Sequence, residues 1–227
     1  MRLARAMLAL TAMAAAAGEI PFRIGNLLYS DDFTASLSHW TAELEKPGVV
    51  QAANGRLTID VPAGCTVWFR PELSGAVLIE YEATMVKAGG PNDRVSDLNA
   101  FWMAAGDVLA AHRSGKFAEY NPLRTYYVGQ GGNGNTTTRF RRYIGDAELR
   151  PLLPEHDLHG PEVLLKPNVS QKVQLVAAGH TIQYYRDGVR IFDFHDPEPY
   201  THGHFAFRTT YSHIEIRQFR VYRLLVS

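Results

Sequence analysis

Apolar and polar side chains alternate along almost the whole of this sequence, and a helical period is nearly absent. Alternation places successive side chains on opposite faces of a strand. A chain built this way must therefore bury one face of many strands against one another. The alternating segments are 57–61, 66–70, 76–86, 96–103, 124–128, 135–143, 171–177, 181–186, 189–194, 203–209 and 213–224, each bounded by Gly, Pro, Asn or Asp. The best helical candidate is a short turn around 106–112. Between 183–186 and 189–194, Asp187 and Gly188 supply the positive φ angles of a two-residue hairpin turn. Many short strands with such turns predict an all-β, antiparallel β-sandwich or barrel. A hairpin that runs on through 192–200 into two long strands is a common closing pattern of jelly rolls.

The first eighteen residues carry Arg2 and Arg5, then an apolar run from Ala6 to Ala17 that ends in small residues. That layout is a secretory signal peptide cleaved near Ala17 or Gly18. It is shorter than the roughly 20 apolar residues of a bilayer span. The expectation is export to the periplasm or the extracellular space, with 19–227 as one domain, since no repeat or linker divides it. The 23 basic and 23 acidic residues cancel. No whole-molecule field therefore attracts nucleic acid or an anionic membrane, and attraction for an anion has to be local. Cys65 is the sole cysteine, which excludes an intramolecular disulfide and a zinc-binding cysteine pair. Its apolar strand makes it a buried, inert thiol.

The segment 126–143 is the most informative for chemistry. Gly129, Gly131, Gly132 and Gly134, with Asn133 and Asn135, form a loop, but the helix and Lys-Ser/Thr pair of a phosphate-binding loop are missing. In the strand that follows, Asn135, Thr137, Arg139, Arg141 and Tyr143 share one face. Two arginines on one face repel unless carboxylates or an anionic ligand lie between them. The alternative to a ligand is internal pairing with Glu80, Glu82 or Asp97. Asp97, Asn99, Phe101 and Met103 share a face of another strand, where the two polar residues are costly to bury without partners. The 208–213 segment adds Arg208 and His213, with His195, His202 and His204 as competing histidines. Trp40, Trp68, Trp102, Tyr126 and Tyr127 are candidate stacking platforms. Trp68 leads them because it alternates with Thr66 and Arg70.

Asp31, Asp32 and Phe33, then Thr66 to Trp68, Ser96 to Asn99, the 126–143 block and Arg208 to His213 resemble a bacterial family known as domain of unknown function 6250. That family is similar to the concanavalin A-like lectins and glucanases. The resemblance implies a jelly-roll sandwich and an oligo- or polysaccharide partner, with the reaction left open. Three readings follow.

The first is a lyase that cleaves a uronic-acid-containing, acidic glycan by β-elimination. Asn99, Arg139 and Arg141 would neutralise the carboxylate, and Tyr143, Tyr127 or His213 would act as base or acid. Trp68, Arg70, Asp97, Tyr127, Asn135, Thr137 and Arg208 would bind the substrate. The second is a glycoside hydrolase with paired carboxylates drawn from Glu43, Asp97, Glu80 and Glu82. The third is a binding module without turnover. No cofactor is required; a structural calcium would use Asp31 or Asp32, although adjacent aspartates also serve as turn residues.

Overall fold

A computed structural model describes residues 19–34 and 36–226. The leader read from residues 1–18 lies outside them. The strands are β1 (Arg23–Asp31), β2 (Trp40–Leu44), β3 (Val49–Ala53), β4 (Arg56–Phe69), β5 (Leu73–Ser74), β6 (Val77–Met85), β7 (Leu98–Ala105), β8 (Arg124–Gly131), β9 (Thr137–Ile144), β10 (Asp157–Leu158), β11 (Ser170–Ala178), β12 (Thr181–Arg186), β13 (Val189–His195) and β14 (His202–Leu225). All their ladders are antiparallel.

The hydrogen-bonded order β10-β9-β8-β7-β14 continues through β6, β11, β12 and β13. β14 is the shared element. Its first half pairs with β7 and β4, and its second half with β6 and β1. Left-handed backbone at Tyr211 (φ 53°) and Gln218 (φ 53°) accompanies register shifts in those ladders, so the strand bends from one layer into the other. The sequence reading broke this element at 210–212; the ladder runs on through a bend instead. β4 likewise spans the expected gap between 61 and 66, and β1 to β3 escaped the sequence reading. The expected helical turn at 106–112 is irregular, and a short 3₁₀ turn stands at Phe117–Tyr120.

The core lies between the layers. Leu98, Ala100 and Trp102 of β7, Tyr126 and Val128 of β8 and Phe140 of β9 meet Ile79 and Tyr81 of β6, Leu175 of β11 and Tyr184 of β12. Trp40 sits at one end among Phe33, Phe69, Phe207 and Phe219, with ring centroids 4.9 to 5.7 Å away. Its indole N–H donates to Asp31 Oδ2 at 2.9 Å. Because the inward faces of β7 to β9 are apolar, their other faces are free to carry polar groups.

The expected face of β7 needs one correction. Met103 has φ 52°, and a register shift between Trp102 and Ala105 turns its side chain into the core beside Trp102, away from Asn99 and Phe101.

Trp40→Ala is expected to cost about 3–5 kcal/mol, the usual range for removing a fully buried aromatic. Urea unfolding measures it, and a loss under about 1 kcal/mol would show that the Trp40 cluster does not anchor the sandwich.

Candidate functional site: a cationic cleft on the outer face of β7 to β9

The outward residues of β7, β8 and β9 form the floor of a depression of about 460 Å³. Asn99, Tyr127, Thr137, Arg139, Arg141 and Tyr143 line it, with Arg94, Asp97, Phe117, Arg150 and Thr210 at its margins. Register explains the grouping. Arg208, Asn99, Gly129 and Arg139 stand opposite one another across β14, β7, β8 and β9, and Ala206, Phe101, Tyr127 and Arg141 form the next row. Gly129 has its role here, because a Cβ at this point would lie 2.9 Å from the Tyr127 hydroxyl. A larger residue would push Tyr127 out of the floor.

The charges do not balance. Arg139 is held by Asp157 through Nε–Oδ1 (2.7 Å) and Nη2–Oδ2 (3.1 Å), so its partner is the edge strand β10 and not Glu80, Glu82 or Asp97. The pair holds the Asp157 carboxyl below the usual carboxylate range. Arg94 binds Asp97 Oδ2 at 2.8 Å and donates to the carbonyl of Thr210. Arg141 donates to the carbonyl of Arg150, and neither side chain has a carboxylate within 4.0 Å among the described residues. Burial lowers the Arg141 pKa, and the neighbouring Arg150 and Arg139 push the same way. Two paired and two unpaired guanidinium groups leave the cleft with a surplus of positive charge.

Two buried polar atoms of the floor lack a well-formed hydrogen bond among the described residues, the Asn99 Oδ1 and the Tyr143 hydroxyl, although the Arg150 side chain lies close enough to the hydroxyl to act on it. Burial raises the Tyr143 pKa, while Arg150, Arg141 and Arg208 pull it back down. Arg150 lies over the Tyr143 ring at 5.9 Å and over Phe117 at 5.7 Å. Tyr127 is pushed well up by burial, so its phenol stays protonated through the neutral range.

Five residues expected at the site stand elsewhere. Asn135 clamps the backbone of Leu165 in both directions, at 2.9 and 3.0 Å, and closes the 131–135 turn, in which Gly131, Asn133, Gly134 and Asn135 all have positive φ. Trp68 is 0% exposed, stacked on Phe101, and donates its indole N–H to Glu43 at 2.8 Å. It is floor support and has no face for a sugar. Arg70 donates to the Trp40 carbonyl at the end of β4.

Arg208 is only 2% exposed and packs 4.9 Å from the Tyr120 ring centroid, beneath the segment that follows β7. His213 binds Asp93 at 2.9 Å. Backbone N–H groups of Ala88 and Gly90, then His213, hold the Asp93 pKa down to about 2. The stabilisation this gives is present above the ordinary carboxylate range and is lost as pH falls towards 2. His213 thus tethers the loop that carries Arg94.

The carboxylates considered for a hydrolase are not assembled either. Glu43 accepts hydrogen bonds from Trp68, Tyr120 and the Arg113 backbone N–H. Glu80 pairs with Lys172, and its strand turns Ile79 and Tyr81 to the core, so Glu80 and Glu82 face away from the cleft. Asp97 alone of the four lines the cleft. Asp31 uses its oxygens on the Phe33 N–H and Trp40, and Asp32 caps Thr34. Among the described residues no cluster of three His, Cys, Asp or Glu is placed to hold a metal ion. Cys65 is buried and its thiol is pushed up to about 12 by burial.

Residues 59–219 match the family described as domain of unknown function (DUF6250). The chain belongs to that family. No curated protein matches the sequence. Among solved structures, a protein of unknown function with a galectin-like fold from Bacillus subtilis superposes with a TM-score of 0.70 at 14% identity, covering 91% of this chain and 100% of that one. The carbohydrate binding module CBM66 from Bacillus subtilis gives 0.54 at 11% identity, over 83% and 94%. LamA from Z. galactanivorans, in complex with laminaritriose and laminaritetraose, gives 0.58 at 10% identity, over 88% and 100%. At these identities the likeness establishes a jelly-roll, concanavalin A-like fold, one that carbohydrate-binding and carbohydrate-cleaving proteins both use.

Arg94, Phe117, Arg150 and Asp157 went unnoticed in the sequence. Arg150 sits in an irregular stretch and Phe117 opens a four-residue 3₁₀ turn, neither with a readable period, and Asp157 belongs to a two-residue strand.

Tyr143→Phe removes a hydroxyl without a well-formed hydrogen bond, so stability is expected to stay within about 1 kcal/mol of the parent. Thermal unfolding tests this, and a loss above about 2 kcal/mol would mean that the hydroxyl holds the fold together.

Proposed function

We propose that the chain is an exported, one-domain carbohydrate-active protein that cleaves an acidic, uronate-containing glycan in this cleft by β-elimination. The observation that carries the reading is the pair Arg141 and Arg150, uncompensated by any carboxylate among the described residues, beside the Asn99 amide and the Tyr143 hydroxyl in one cleft. A uronate carboxylate between the two arginines would meet two guanidinium forks in a site of low dielectric. Neutralised in this way, with help from the Asn99 amide, its C5 proton becomes more acidic. As Arg150 turns to the carboxylate it leaves the Tyr143 ring and uncovers the hydroxyl. Ionised Tyr143 takes the C5 proton, the electron pair forms the C4–C5 double bond, the C4–O bond breaks, and the phenol returns the proton to the leaving oxygen.

The pKa direction fixes the pH dependence. Burial raises the Tyr143 pKa above its ordinary value, so the ionised fraction is small at neutral pH and grows about tenfold per pH unit. The rate of appearance of unsaturated product, read by near-ultraviolet absorbance, should climb with alkalinity until the protein unfolds. Tyr143→Phe should abolish it while glycan binding persists, and Arg141→Ala should lower kcat/KM by about 100-fold or more. A flat or acid-favouring profile, or a Tyr143→Phe variant with full activity, would overturn the mechanism.

Binding without turnover is the second reading. What favours it is that Tyr143, the base of the first reading, is fully buried, and that Asp97, the one carboxylate lining the cleft, is already paired with Arg94. In that case acidic glycans bind and none of them yields unsaturated or newly reducing ends.

A further inference from the structure

The outer face of the first layer is divided in two. Between β7 and β9 it is open and forms the cleft. Between β4 and β7 it is roofed by residues 106–123, whose Val108, Tyr120 and Leu123 form one buried cluster with Trp68, Ala206, Phe101 and Ala104 that continues to the Tyr127 and Tyr143 rings at the edge of the cleft. This roof is fastened at several points. The Arg113 backbone N–H donates to Glu43 at 2.8 Å, and its guanidinium donates to the carbonyls of Glu119 and Val108. The Tyr120 hydroxyl donates to Glu43 at 2.7 Å, and the Gly115 carbonyl accepts from Arg208 Nη1 at 2.6 Å. Gly115 itself lies against the backbone of Leu44, Glu45 and Gly64, where a methyl group would collide, and its φ of 88° suits glycine.

A fastened roof stands across the path that a chain would take if it crossed every strand of the sheet. Phe117 forms the wall where roof and cleft meet. Behind it lies Arg208, whose guanidinium is 5.4 Å from the Phe117 ring centroid and whose Nε and Nη2 have no partner among the described residues. Among the described residues no carboxylate lies within 4.0 Å of that guanidinium. Two guanidinium groups thus flank the closed side of the cleft, Arg150 in front of Phe117 and Arg208 behind it, with the Glu43 carboxylate further back on the Tyr120 hydroxyl.

We propose that the cleft is a dead end that receives the terminus of an acidic glycan, with the charged terminal sugar lodged against the Phe117 wall. Internal stretches of a chain do not pass through. This rests on the acidic-glycan reading above and adds the mode of recognition to it. A depression of about 460 Å³ suits a few sugar residues and no longer segment.

The test counts proteins per chain. Tyr143→Phe protein, which removes the hydroxyl proposed for cleavage, is titrated by calorimetry with size-fractionated galacturonans, alginate-derived chains and glucuronans of increasing length. End recognition predicts one protein bound per chain at every length, with affinity per mole of chain constant once the cleft is filled. A number of bound proteins that rises in proportion to length would overturn the dead end and leave the acidic-glycan reading standing. Failure to bind every acidic chain in the panel would overturn both. Parent protein supplies a second readout. A terminus-directed enzyme releases small products while viscosity falls slowly; an early collapse in viscosity contradicts the proposal.

Discussion

Everything in the cleft depends on β14 bending from one layer into the other. Its first half lies beside β7 and β4 and its second beside β6 and β1, and the left-handed residues Tyr211 and Gln218 mark the places where the ladder shifts. A strand that ran straight would pair with one layer only. Because it turns, the apolar faces of β7 to β9 close on those of β6, β11 and β12, and the polar faces are left pointing outward. The loop bearing Arg94 is then drawn to the bend, where that side chain reaches the carbonyls of Thr210 and Tyr211. Fold and cleft share one cause.

Both halves of the outer face bury polar groups, and each leaves some of them unmet. Under the 106–123 roof, Glu43 gathers the Trp68 indole, the Tyr120 hydroxyl and a backbone N–H, so a buried carboxylate is well supplied with donors. In the open half, Arg141, Asn99 and Tyr143 keep hydrogen-bonding capacity that no described residue uses. Buried polar groups are ordinarily satisfied, so the unmet atoms of Asn99 and Tyr143 support the proposed ligand site, while those of Arg208, Trp102, Asn121 and Thr209 lie outside the depression.

The period-two pattern was enough to draw most strands of both layers, because alternation reports a half-buried sheet directly. It also put Thr137, Arg139, Arg141 and Tyr143 on one face and Asn99 on another strand, and the structure brings these five together. Position along a strand decides which face a side chain takes, so that much was legible. What lay over the face was not. Trp68 and Arg208 do share the outward face, yet a segment without periodicity covers them, and its path is set by Glu43 and Gly115, contacts distant in sequence. Asn135 precedes the strand and obeys turn geometry. The partner of Arg139 comes from a two-residue strand too short to read. Met103 left its face through a bulge, which alternation alone does not announce.

The central claim is that unpaired arginines make this face a receptor for acidic sugar. Backbone and side-chain NMR shifts recorded while an acidic oligosaccharide is titrated into the protein test it most directly. The account predicts that the largest shifts fall on Asn99, Arg141, Tyr143 and Arg150, and that they shrink as salt is raised. Shifts centred away from these four residues, or an equal response to neutral and acidic oligosaccharides, would contradict it.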